Sequence, residues 1–220
     1  MDARAFLHGP PPGRPAALEW LGAAGKFVAG LALFAAASFA LTQAHLPVTT
    51  AAWLGMGGFV LALHFGLFHL LSCAWRAAGI DAKPIMRWPA ASCGVGEFWG
   101  KRWSLAFRDL SHRFVFRPLH HKVGAAPALM AGFLVSGLVH DLVISVPAGA
   151  GWGRPTAYFA VSGCAVLLEK SRAGRRIGLG RGPIGWCFTA AVLLLPAAWL
   201  FHGPFVHRVA APFLASIRIW

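Results

Sequence analysis

Two neighbouring residues, His140 and Asp141, stand near the end of a membrane-length apolar run, residues 123–146. An ionisable pair inside such a run is costly in hydrocarbon. It therefore faces a protein interior or a water-filled cavity as a rule, and it marks a functional site by default. The bland alternative is a histidine that serves as hydrogen-bonding glue between helices. Position alone leaves both open. Gly132, Ser136 and His140 follow one another at intervals of four and so share one helical face, where small residues let a helix or a ligand come close. Asp141 points about 100° away from His140. That direction suits it to orient a neighbour, or to pair with a base such as Arg154, without touching His140 directly.

The other candidate ligands point elsewhere. His64 and His69 lie five apart, about 140° around a helix, and do not form a haem or metal clamp as a pair. A His-ligated redox protein is therefore the weakest reading, and the adjacent His120 and His121 fit headgroup contact. The four cysteines, Cys73, Cys93, Cys164 and Cys187, show no C-x-x-C or zinc-like spacing. The expectation is no metal site, no disulfide framework and no bound cofactor.

The elements that carry these residues follow from composition. Of 220 residues, 57% are hydrophobic and 12% charged, about half the charged share of soluble domains. That is the composition of an all-α polytopic bundle in a membrane. We expect about five spans, at residues 21–41, 51–73, 123–146, 156–168 and 183–201, in a single membrane domain over residues 21–220. Residues 1–20 read as a mobile cytoplasmic tail, since the Pro/Gly-rich start has no apolar core of the kind a cleavable signal needs. Between the second and third spans, Trp99, Trp103, Phe107, Leu110 and Phe114 recur at helical steps, with Lys101, Arg108 and His112 on another side. This predicts an amphipathic helix over residues 97–116, ended by Pro118 and lying in the cytoplasmic interface.

The net charge of +13 would suggest nucleic acid in a soluble protein. Here the charges sit between apolar runs, and membrane lipids are the expected partner. Lys and Arg number 3, 0, 9, 1, 5 and 2 in successive loops, Lys26 counted with the first. The alternation predicts a multi-pass protein of the cell inner membrane with its N-terminus cytoplasmic and its C-terminus outside. His140 is then reached from the cytoplasmic side. Oligomeric state is left open.

Two blocks carry a resemblance. Glu97-Phe98-Trp99-Gly100-Lys101-Arg102-Trp103-Ser104, followed some thirty residues on by Phe133-Leu134-Val135-Ser136-Gly137-Leu138-Val139-His140-Asp141-Leu142, resembles the wax synthase branch of the membrane-bound O-acyltransferase family. That branch typically has a F-W-G-R-R-W-N block and later a F-x-x-S-G-x-x-H-[DE] block within a span. The resemblance covers roughly Arg87 to the C-terminus and includes the Leu200-Phe201-His202 run. It implies an integral membrane enzyme that moves a fatty acyl group from a thioester, acyl-CoA as substrate, to the hydroxyl of a lipophilic or small alcohol, with the site in a tunnel. His140 matches the catalytic base, which suits a neutral imidazole that takes the alcohol proton. Asp141 stands beside it in an orienting role, in place of a frequent Glu. Ser104 stands where the family commonly has Asn, and a hydroxyl lacks the reach and second donor of an amide. On the same resemblance, Trp99, Lys101, Arg102, Trp103, Arg108 and Ser136 fall to acyl-CoA binding, the basic ones by receiving phosphates. The competing function, from a different class, is a non-catalytic lipid-binding or assembly protein that retains the fold.

Overall fold

A computed structural model describes residues 13–216, and every element among them is helical or a turn. The described residues form two compact units, one of residues 13–86 with 206–216 and one of residues 87–205. Residues 1–12 of the expected tail lie outside the described residues.

The first unit is built on two long helices, α1 (Ala17–Thr42) and α2 (Val48–Ala77). Pro47, with extended ψ, turns the chain into α2. Both helices are almost wholly apolar, so in lipid their association cannot come from apolar burial and must come from close packing. Small residues supply it. Gly58, Ala62 and Gly66 are four apart on α2, and a Cβ on Gly58 would lie 2.6 Å from the Phe34 backbone nitrogen of α1. At Gly66 it would press on the Phe27 backbone in the same way. Over Leu61–Leu67, α2 widens into a π turn.

At one end of this pair the charged groups neutralise each other. Glu19 of α1 accepts from Arg76 and, at 3.1 Å, from His69 Nε2 of α2. Lys26 donates to His69 Nδ1 at 2.8 Å. The closing segment packs back on the same helices, where Leu214 joins Ala37 and Ala51 and the Ser38 hydroxyl donates to the Leu214 carbonyl at 2.9 Å.

The second unit opens with an irregular strap that leads to Val95–Glu97 and the π turn Phe98–Arg102. Then come α3 (Leu105–Ser111), the π turn His112–Phe116, α4 (Arg117–Val123), α5 (Ala125–Ala148), α6 (Arg154–Lys170) and α7 (Gly182–Leu200). The expected single helix over residues 97–116 is instead two segments. Ser104 at φ +42° takes the left-handed conformation and breaks the helix there. Pro118 does not end it. The π turn just before α4 leaves Pro118 in a first-turn position, where its missing N–H costs no bond, and the helix runs on to Val123. Gly124, at φ +84°, then turns the chain into α5.

Among the described residues four helices, α1, α2, α5 and α7, are long and apolar enough to cross a membrane. The fourth expected span, residues 156–168, falls on α6, which at 17 residues is about 25 Å long and shorter than the usual spanning helix. One side of α5 presents Leu138, Leu142 and Val143 outward, at 60%, 64% and 57% exposure, as a lipid-facing surface does. The other side meets α6 closely. A Cβ on Gly137 would lie 2.6 Å from the Thr156 Cα. The chain is an all-α, multi-pass membrane protein.

The glycine contacts of the first unit make a direct test. Gly66→Leu forces α1 and α2 apart and is expected to lower the thermal midpoint in detergent by roughly 5 °C or more, as overpacking of about 1–3 kcal/mol does. Gly57 has open space around it, so Gly57→Leu is expected to leave the midpoint within about 2 °C.

Candidate active site

His140 closes the regular part of α5, and the next residues, Asp141–Ser145, form a π turn. Such turns are frequent at functional sites because they re-aim side chains. The His140 Nδ1 lies 2.7 Å from the Ser136 carbonyl. A carbonyl has no proton to give, so Nδ1 carries the hydrogen and Nε2 keeps its lone pair. The ring lies against Phe159 of α6, with centroids 4.5 Å apart at 42°. Ser136 is buried, and its own hydroxyl donates back to the Gly132 carbonyl at 2.9 Å. Its contribution to the site is thus the backbone carbonyl that fixes the His140 tautomer.

Asp141 turns away from His140 toward α6. Its carboxylate accepts from the Gly153 N–H at 2.9 Å, the Thr156 N–H at 3.1 Å, the Thr156 hydroxyl and the Ser145 hydroxyl at 2.8 Å. The helix α6 begins without a capping side chain of its own, and Asp141 satisfies two of its otherwise open N–H groups. A negative charge is also favourable at that end of a helix. Ser145 lies 3.2 Å from His202 Nε2, and the Phe205 N–H donates to His202 Nδ1 at 3.2 Å. His202 is fully buried, and that burial, with the nearby Arg154 charge, pushes its pKa down. Neutral, it carries its hydrogen on Nε2 and donates to Ser145, which donates to Asp141.

The first sequence block reaches the same place through aromatic rings. Trp99 lies 5.3 Å from Phe159 and 6.2 Å from Phe133, centroid to centroid. Phe98 touches Trp99, and Trp103 stacks on Phe98 at 5.5 Å and 13°. Trp99 packs with Leu129 and Phe133 on a core of Val95, Ala165 and Val166. Phe159 therefore bridges the two blocks, with Trp99 on one side and His140 on the other.

The basic residues of the block are tied into the structure. Arg102 pairs with Glu97 at 2.7 Å and donates to the Arg87 and Trp88 carbonyls at 3.3 and 3.2 Å. Burial pushes the Glu97 carboxyl up, but the Cys93 N–H and the Arg102 guanidinium outweigh it and hold the pKa below the usual range. Arg108 donates to the Gly100 carbonyl at 3.0 Å and pairs with Asp109 at 2.8 Å. Lys101 is exposed. Ser104 holds the left-handed corner between the π turn and α3.

Phe159, Thr156 and Ser145 gave no sign in the sequence, since one aromatic ring or hydroxyl in an apolar helix carries no pattern. The Pro155 that follows Arg154 marks a helix start, and that was the available hint that α6 begins beside the His140 helix. An open cleft of about 520 Å³ lies against this end of α6, lined by Trp152, Gly153, Arg154, Ala157 and Trp199.

Two stability tests follow. Asp141→Asn turns one acceptor into a donor against Gly153 and Thr156, and is expected to lower the thermal midpoint by roughly 5–10 °C, for a loss of about 2–4 kcal/mol. Ser104→Asn places the residue type that best tolerates left-handed backbone, and is expected to raise the midpoint by about 1–3 °C.

Residues 82–162 match the model of the membrane bound O-acyl transferase family. The chain is 25% identical over 156 residues to the long-chain-alcohol O-fatty-acyltransferase of Simmondsia chinensis, with 65% of this chain and 44% of that protein covered. It is 26% and 28% identical to the probable long-chain-alcohol O-fatty-acyltransferases 7 and 2 of Arabidopsis thaliana, over 59% and 56% of this chain and 42% and 39% of theirs. The matched stretch spans less than half the length of these relatives. No solved structure matches. Residues 82–162, which hold both the Trp99 segment and His140, are thus the part of the chain that resembles the membrane bound O-acyl transferase family, and the relatives that match around them are long-chain-alcohol O-fatty-acyltransferases.

Proposed function

We propose that this protein is an O-acyltransferase that moves a fatty acyl group from acyl-CoA to the hydroxyl of a lipophilic alcohol, forming a wax-type ester. The observation that carries this reading is the His140 imidazole, half-buried with its Nδ1 hydrogen committed to the Ser136 carbonyl. Its Nε2 is then a base of defined direction, inside a segment similar to long-chain-alcohol O-fatty-acyltransferases. The ring contact with Phe159 holds the imidazole plane, so the lone pair does not wander.

The alcohol O–H gives its proton to Nε2 as the oxygen bonds to the thioester carbon, and the carbonyl pair moves onto oxygen. Collapse of the tetrahedral adduct breaks the C–S bond, and His140 returns the proton to the leaving sulfur. Thioester and alcohol become ester and thiol, and the histidine ends as it began. An apolar, water-poor surround suppresses hydrolysis of the thioester and strengthens each polar contact made to the reacting atoms. The basic cytoplasmic side supplies the approach for an anionic donor; Lys101 and Arg108 are exposed cations there, while half-buried Arg102 shapes the loop by its bonds to carbonyls.

Membranes or purified protein are expected to form ester from radiolabelled long-chain acyl-CoA and a long-chain alcohol. His140→Ala is expected to lower this rate by at least about 10²-fold with the fold retained, as loss of a general base does. Full activity in that variant would remove His140 from the reaction. No consumption of acyl-CoA by folded wild-type protein across a panel of alcohols would leave a non-catalytic lipid-binding role in its place.

A further inference from the structure

Two buried polar groups around Phe159, the ring that His140 lies against, are left over by the folded chain. The Trp99 Nε1–H is buried and has no hydrogen-bond partner among the described residues. An indole N–H is a donor only, so an acceptor alone satisfies it. Native structures pair nearly all such groups, and an orphan calls for an explanation. The Ser162 hydroxyl is the second. Ser162 is 0% exposed and its Oγ also lacks a partner among the described residues, although a helical serine commonly bonds the carbonyl four residues back.

Ser162 lies on one stripe of α6, and Trp99 packs against that same stripe. Ser162 is three residues beyond Phe159 and four before Val166, so it falls between them on one face. Trp99 contacts Phe159 and packs on the core that includes Val166. Phe159 in turn carries His140 at 4.5 Å. Two unspent donors thus line the aromatic wall that the candidate base touches. Hydrocarbon offers no acceptor to either. The acyl-transfer reaction creates one, because the carbonyl oxygen of the thioester takes up a full negative charge when the alcohol adds.

Resting on the acyltransferase reading above, we propose that the Trp99 Nε1–H donates to the oxyanion of the tetrahedral adduct, with the Ser162 hydroxyl as a second donor. The size of the wall suits this. His140 to Trp99 can span no more than the two ring contacts through Phe159, and a reacting carbon must sit about 3 Å beyond the alcohol oxygen, with its own oxygen about 3 Å from a donor. Donors already unpaired need no reorganisation as charge develops, which is what makes such groups effective. Ser104, at the family's Asn position, then has no need to supply this contact.

The test is steady-state kinetics with a long-chain acyl-CoA and a long-chain alcohol. Trp99→Phe keeps the ring against Phe159 and removes the N–H. It is expected to lower kcat by about 10²-fold or more, with KM for acyl-CoA within about threefold and the thermal midpoint lowered by only a few degrees, as the lost ring volume dictates. Ser162→Ala is expected to lower kcat by about tenfold, again with KM held. If Trp99→Phe does not fold, benzothienylalanine at position 99 makes the same deletion, with sulfur in place of N–H in a ring of nearly the same shape. A kcat within about threefold of wild type in either position-99 variant would overturn the inference and leave the acyltransferase reading standing. Absence of ester from folded wild-type protein would overturn that reading, and the inference with it.

Discussion

A carboxylate inside a membrane-length helix must find donors, and the way Asp141 finds them sets the second unit in place. It takes the N–H groups of Gly153 and Thr156, the Thr156 hydroxyl and that of Ser145. These bonds fix the start of α6 beside the end of α5. Once α6 starts there, Phe159 is one turn further along and comes to lie on the His140 ring. Trp99 then reaches Phe159 from the other side. His202, from the segment after α7, completes the same knot through Ser145. The aspartate beside the histidine thus acts on its surroundings and not on the imidazole itself, whose tautomer is held by a backbone carbonyl four residues back.

Close contact between helices is the second constraint, and the reason is the solvent. Where lipid replaces water, apolar burial no longer drives helices together, and backbone approach has to do so. In the first unit Gly58 and Gly66 bring α2 onto the α1 backbone; in the second, Gly137 brings α5 onto the start of α6. The last of these is needed by the Asp141 bonds, because a side chain at position 137 would hold Thr156 away. The π turns serve the same end. The one at Asp141–Ser145 follows His140 directly, and the one at Phe98–Arg102 contains Trp99.

The basic block after Glu97 has a structural role that composition does not reveal. Arg102 closes on Glu97 and on two carbonyls of the strap, and Arg108 closes on Gly100 and Asp109. Guanidinium groups have several donors in fixed directions, so they are well suited to gather loose carbonyls where the chain is irregular. Their effect is to hold the turn that presents Trp99. Lys101, just before them in sequence, stays exposed.

By itself the sequence determined the class of the protein and its two chemical blocks. Apolar runs of membrane length, a low share of charge and cations gathered between the runs dictate a helical, multi-pass chain, because backbone groups in lipid must be satisfied within each helix. The His140 and Trp99 segments were legible for the same reason, since residue types so costly or so regularly spaced stand out against Ala, Leu and Val. Helix breaks were not legible, as Ser104 ended a helix that its aromatic periodicity continued and Pro118 failed to end one. Nor was the partner of Asp141, the ring between Trp99 and His140, or the two donors left unpaired beside it. Those belong to the tertiary structure alone. Hydrogen bonds and ring contacts across 15 or 57 residues of chain, as from Asp141 to Thr156 or Ser145 to His202, depend on which helix ends are brought together, and no local pattern of residues encodes that.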